Sequence, residues 1–245
     1  MIELWALSVG QEKSWNGLLD VSERLPGGWT LVGGQMVQLH CFERGQFPSR
    51  PTDDADAVLD VRAEPQMLWK FTAALRDVGF EAEPPNANGY QHRWVREGAV
   101  VDVLIPRHLG ERATRRRGVS GATTLPTPGA QAALDRSSQV AVSVNGRVGT
   151  VNRPDLTGAI AAKSAAWGVV LDQNRGRHLI DVLTLALLLD ARDNSASPLS
   201  SRELQRVAAV VGELSAAGRA AALFDEGERA LQMLVGFVRR QRRTQ

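Results

Sequence analysis

The chain has 245 residues, 43% of them hydrophobic, and a formal net charge of +2, which is enough apolar material for one large domain or two modest ones. Its single cysteine, Cys41, excludes an internal disulfide and points to a reducing compartment. No apolar run approaches the ~18 residues of a membrane span, and the opening "MIELWALSVGQEKSW" has no positive n-region, so a cytoplasmic protein with no signal peptide and no membrane partner is expected.

In chain order, 13–25 carries apolar residues at helical spacing and stops at "PGG". "WTLV" (29–32) is a short strand, followed by a glycine pair and a helix over "QMVQLHCFERG". "ADAVLDV" (55–61) is strand-like, and 65–80 is an amphipathic helix with Pro65 at its first turn and Gly79 at its end. "YQHRWVREGAVVDVLIP" reads as two strands joined at "REGA". The stretch 107–138 is polar, glycine-rich and gives no clear element, whereas 140–151 is a hairpin turning at "NG". Helices are expected near 154–167, 175–191, 200–216 and 218–243, the third with a Ser200/Glu203 capping box. The fold class is α/β (α+β): a mixed sheet with flanking helices, then a C-terminal helical bundle. The expected units are a core over 1–112, a basic loop and hairpin over 113–153, and a helical domain over 154–245.

Charge is unevenly placed. "RATRRRG" (112–118) and "RRQRR" (239–243) are basic, while four aspartates fall within 53–60, and the sequence pI is about 9.1. Such runs bind polyanions or are solvated surface, and the sequence leaves both readings open for Arg115, Arg116 and Arg117.

Three acids stand out. Side chains alternate faces along a strand, so Asp54 and Asp56 point one way while Asp53 points the other, toward a turn or capping role. Asp60 shares the parity of the pair but lies further along, which suits a cap or salt bridge. Asp102 interrupts the apolar strand "AVVDVLIP", either as a solvent-facing acid or as a third carboxylate beside the pair. Three carboxylates at one place suit a hard cation such as Mg²⁺. Gly33 and Gly34, after a strand and before a helix, form either a tight turn or a close approach for a phosphate. The four histidines (His40, His92, His108, His178) show no zinc spacing, and no P-loop or nucleophile-elbow motif occurs.

The order "VGG", helix, "SRPTDDAD", then Asp102 resembles the nucleotidyltransferase superfamily (the DNA-polymerase-β-like fold), and its wording is most similar to the AbiEii-type toxin branch. The resemblance implies Mg²⁺ (or Mn²⁺) on Asp54, Asp56 and Asp102, with Asp102 alternatively the general base. It further implies nucleotide or phosphate binding by Gly33, Gly34, Arg50, Thr52, Lys163, Arg177 and Asp181, with an NTP as substrate. Arg177 and Asp181 lie one turn apart on a helix, so they alternatively pair with each other. This sequence departs from the branch at His178, where an aspartate is usual. The implied activity is transfer of NMP to RNA (tRNA) or protein, with a cognate antitoxin as partner. A silent binding module on the same fold, or a small-molecule adenylyltransferase of the antibiotic-modifying kind, are the alternatives.

Overall fold

A computed structural model describes all residues except 108–109, 111–114, 191–192, 194–197, 217 and 244–245. His108, Arg112 and the expected boundary at 112/113 fall outside the described residues. The element order is β1 (Ile2–Leu4), α1 (Val9–Arg24), β2 (Trp29–Val32), α2 (Gly33–Glu43), β3 (Asp54–Leu59), α3 (Met67–Asp77), β4 (Glu81–Ala82), β5 (Arg93–Arg96) and β6 (Ala99–Pro106). There follow β7 (Leu125–Thr127), α4 (Ala130–Asp135), β8 (Ser137–Val144), β9 (Arg147–Pro154), α5 (Leu156–Trp167), α6 (Gly176–Leu187), α7 (Ser201–Leu214), α8 (Arg219–Leu223) and α9 (Gly227–Arg243).

Two mixed sheets result. The larger runs β2-β3-β6-β5-β4, and β7 takes over the edge of β6 where β5 ends. The smaller runs β1-β8-β9. β3 and β6 are parallel, whereas β2–β3 and β5–β6 are antiparallel. Both hairpin turns, Glu97-Gly98 and Asn145-Gly146, have positive φ at their two central residues, the turn geometry whose twist matches paired strands.

Alternation divides the large sheet into two chemically different faces. Ala55, Ala57, Leu59, Val101 and Val103 are fully buried and belong to the main core with α1 and α3. The other face carries Asp54, Asp56 and Asp102, and beside them Val32, Val58 and Leu104, which pack on α4 and α5 in a small separate cluster. The bundle of α5, α6, α7 and α9 closes over this side, with α2 packed against α5 and α6. One apolar cluster nevertheless runs from Ile2 to Val238.

Element boundaries differ from expectation where local chemistry overrides the hydrophobic pattern. α1 begins at Val9, earlier than 13, because Ser8 and Gln11 form a capping box. The expected helix over 218–243 is two: Phe224 is extended, and the chain restarts at Gly227, where a Cβ would lie 1.9 Å from the Ala220 carbonyl oxygen. Pro154 belongs to β9, and Asp155 caps α5 by accepting from the Gly158 N–H. β1, β4, β7 and α4 have no counterpart in the sequence reading; all are six residues or shorter.

Candidate active site

The register of the large sheet assembles the acids. Asp56 pairs with Val32 on one side and Asp102 on the other, and Asp102 pairs in turn with Arg93. Val32, Asp56, Asp102 and Arg93 therefore form one row across four strands, with Asp54 two residues up β3 on the same face. α1 pins this register. The buried Ser14 hydroxyl donates to the Asp53 carbonyl (2.7 Å) and accepts from the Val100 N–H (3.1 Å), tying the entrance of β3 to that of β6. Gln11 adds a bond to the Thr52 carbonyl at 3.0 Å.

Asp53 points away from the row, and its carboxylate accepts from the Ser8 hydroxyl (2.7 Å) at the start of α1. Asp60 lies just past the end of β3 and caps the turn that follows, accepting from the N–H groups of Arg62 and Ala63.

The row forms the floor of a cleft of about 560 Å³ between the sheet, α4, the last turns of α5 and the start of α6. All four acids and glycines of the sequence motif line it (Gly33, Gly34, Asp54, Asp56), with Asp102, Arg50, Thr52, Lys163 and Arg177. Asp181 does not line it. Instead it sits behind Lys163, 1% exposed, and accepts from Lys163 Nζ (2.6 Å) and from both Arg50 Nε and Nη2 (2.8 Å each). Burial opposes the Asp181 charge, but Lys163 and Arg50 outweigh it and hold the carboxyl below its usual range. Arg177 does not pair with Asp181; its ion pair is with Asp172, 3.6 Å away. The reason is direction: Arg177 turns back toward the loop before α6, while Lys163 and Arg50 already enclose Asp181.

Thr52 donates its hydroxyl to Asp54 Oδ1 at 2.7 Å. The glycines are required by their own chain. Gly33 has φ +69°, and a Cβ there would lie 1.7 Å from Asp56 Oδ2; one at Gly34 would lie 2.5 Å from the Thr52 methyl. A side chain at position 34 does not fit without moving Thr52.

The Asp56 carboxylate accepts no hydrogen bond and forms no ion pair among the described residues. Desolvation at the cleft floor, then repulsion from Asp102 and Asp54, pushes it up to about 7, against weaker opposition from Lys163 and Arg177. Asp102, by contrast, is fully engaged. Arg93 donates from Nε to Oδ1 (2.9 Å) and from Nη2 to Oδ2 (2.7 Å), and the same Nη2 lies 3.5 Å from Asp54 Oδ2.

His178, in the first turn of α6, contacts Asp172 through Nε2 at 3.2 Å. Burial, then Lys163, pushes it down to about 4, so it is neutral at physiological pH. Arg115, Arg116 and Arg117 do not line the cleft, and Arg117 donates to the Gly121 carbonyl in its own loop. Arg93, His92, Arg107 and Asp172 line it although the sequence assigns them no site role, and His178, noted there only as a departure from the resembled branch, lines it too. Arg93 had a signal: a two-residue turn at 97–98 pairs Arg96 with Ala99, which places Arg93 opposite Asp102.

Among the described residues, no three His, Cys, Asp or Glu side chains converge as they stand on one metal position. The donor chemistry nonetheless fits a hard dication: three carboxylates share one face, and the middle one is unpartnered and resists ionising.

No described helix is long and apolar enough to cross a membrane. No family model matches the chain, and the search of curated proteins found no match. Among solved structures, it is similar to an antigenic nucleotidyltransferase-like protein from Paracoccidioides brasiliensis, with a TM-score of 0.51 and 15% identity over 93% of this chain and 94% of that one. At that identity the likeness concerns architecture, and it covers both the sheets and the helices that follow: the chain has a nucleotidyltransferase-like fold.

Proposed function

We propose that the protein is a Mg²⁺-dependent nucleotidyltransferase that moves NMP from an NTP to an acceptor hydroxyl. The observation that carries this reading is the row of Asp56 and Asp102, with Asp54 beside it, in a cleft that Lys163 and Arg177 also line. Acids and cations lining one cleft match a triphosphate that arrives with its cation. Asp54, Asp56 and Asp102 would hold Mg²⁺ (Mn²⁺ as substitute), which supplies Lewis-acid charge at the reacting phosphate when bound.

The chain's own groups do the rest. Lys163 and Arg177 offset triphosphate charge, and Asp181 fixes Lys163 and Arg50 in place by ion pairs. Gly33 leaves Asp56 its position, and Thr52 orients Asp54. In its alternative role as general base, Asp102 would receive the acceptor's proton only after Arg93 releases its oxygens, because both are engaged.

The acceptor class rests on the resemblance to AbiEii-type toxins, which favours RNA such as tRNA, or a protein, and implies a cognate antitoxin. A second reading, a silent binding module, has one observation in its favour: Arg93 already neutralises Asp102. Incubation with each labelled NTP, Mg²⁺ and total RNA or lysate protein separates the two. Label should pass to one acceptor class and vanish in Asp54→Asn and Asp56→Asn; transfer that survives both substitutions removes the metal assignment, and no transfer with any NTP favours the silent module.

A further inference from the structure

The cluster of three carboxylates contains its own cation. Arg93 reaches it from β5, where the two-residue turn to β6 fixes it opposite Asp102. Its planar fork matches a carboxylate and it stays charged at every physiological pH. One nitrogen, Nη2, stands between Asp102 Oδ2 (2.7 Å) and Asp54 Oδ2 (3.5 Å). A nitrogen shared by two carboxylates supplies positive charge to the same two acids that would hold a metal ion.

We propose that Arg93 is a resident counter-cation that is exchanged for the divalent ion: it holds Asp102 and Asp54 in the metal-free protein and swings out before those carboxylates accept the metal. This rests on the metal-dependent reading of the cleft. The exchange moves Arg93 and not Asp102 because the two ends of that pair are unequally free. The Arg93 side chain is 39% exposed, whereas that of Asp102 is 9% exposed and is fixed in the middle of a sheet. The guanidinium also leaves Asp56 untouched, so a dication replacing it neutralises more of the cluster than it displaces. Among the described residues no three ligands converge, and both Asp102 oxygens are taken by Arg93.

Cation and guanidinium are then linked competitors, and removing one must strengthen the other. Arg93→Gln should bind Mn²⁺, followed by paramagnetic resonance and calorimetry, on the order of tenfold more tightly than the wild type. Without metal it should melt lower than the wild type, and saturating Mg²⁺ should recover most of that loss. Arg93→Lys, charged but without the fork, should fall between. A purely structural clamp gives the opposite: Arg93→Gln binds Mn²⁺ equally or more weakly, which overturns the proposal. If Arg93→Gln does not fold, the wild type decides. Its Arg93 Nε–H resonance should be protected from solvent exchange without metal and lose that protection in saturating Mg²⁺, and protection that persists in metal-bound protein overturns the exchange. Wild-type protein that binds no Mn²⁺ removes the metal reading and this proposal together, whereas wild-type binding without tightening in Arg93→Gln removes the exchange alone.

Discussion

The carboxylate of Asp56 fills the space that a side chain on Gly33 would need, at 1.7 Å from the position of a Cβ. The glycine is thereby bound to the central acid of the cleft, and its positive φ of +69° adds a second reason for its identity. Gly33→Ala should destabilise the fold by more than about 1 kcal/mol and displace Asp56, with transfer activity falling on the order of a hundredfold. Urea unfolding and the labelled-NTP assay check both; a variant with wild-type stability and activity would show that the close approach is dispensable.

Asp54→Asn and Asp56→Asn each remove one metal-binding charge, and the loss should be several kcal/mol of transition-state stabilisation, on the order of a thousandfold in rate. Their effects on folding should differ from their effects on catalysis. Asp56→Asn relieves repulsion among three neighbouring acids, so its metal-free melting temperature should equal or exceed the wild type.

Asp181 serves Lys163 and Arg50 at once, and removing it should cost more than removing either. Asp181→Asn strands the buried Lys163 ammonium and should lose about 3–5 kcal/mol. Lys163→Met leaves Asp181 with both Arg50 bonds and should lose less, as should Arg50→Gln, whose side chain is 26% exposed. Chemical denaturation ranks the three; Asp181→Asn ranking as the mildest would refute a shared anchor.

His178 and Asp56 give opposite pH dependences. Folded His178 refuses a proton until about pH 4, against 6.5 for a free imidazole. The unfolded chain therefore binds more protons between those values, and this contribution is full above pH 6.5 and lost as pH falls toward 4. Asp56 takes its proton at about 7 when folded and at 3.8 when not, so its contribution grows on acidification across that range. His178→Gln should remove the acid loss and let metal-free stability rise between pH 7 and 5. Asp56→Asn should steepen the loss. Melting temperatures of the three proteins across that range decide it, and parallel curves would contradict the assignment.

Period-two alternation made the acids legible: it separates Asp53 from Asp54 and Asp56 with no knowledge of the fold, and "AVVDVLIP" marks Asp102 as an intrusion in a buried strand. The glycine pair was legible as a tight turn or an approach for a phosphate; the neighbours it meets, Asp56 and Thr52, were not, because that contact depends on how β2 and β3 pair. Arg93 was countable through a two-residue hairpin and missed because the turn was placed only within a four-residue window. Asp181 enters as a nucleotide-binding residue through the resemblance alone, and helical spacing offers Arg177 as its partner; that Lys163 and Arg50 hold it instead depends on how α5 and the loop before β3 pack on α6. The short elements β1, β7 and α4 carry too few residues to show a period, and they exist through pairing and packing alone.

The pairing of Ile2 with Val142 has a consequence for the order of folding. β1 contributes the buried Ile2 and Leu4 to a sheet whose other strands lie more than half the chain away. During synthesis the row from Val32 to Asp102 is complete on the ribosome well before residues 137–154 emerge, so the first strand must wait as an unpaired edge while the site it does not touch is already being assembled.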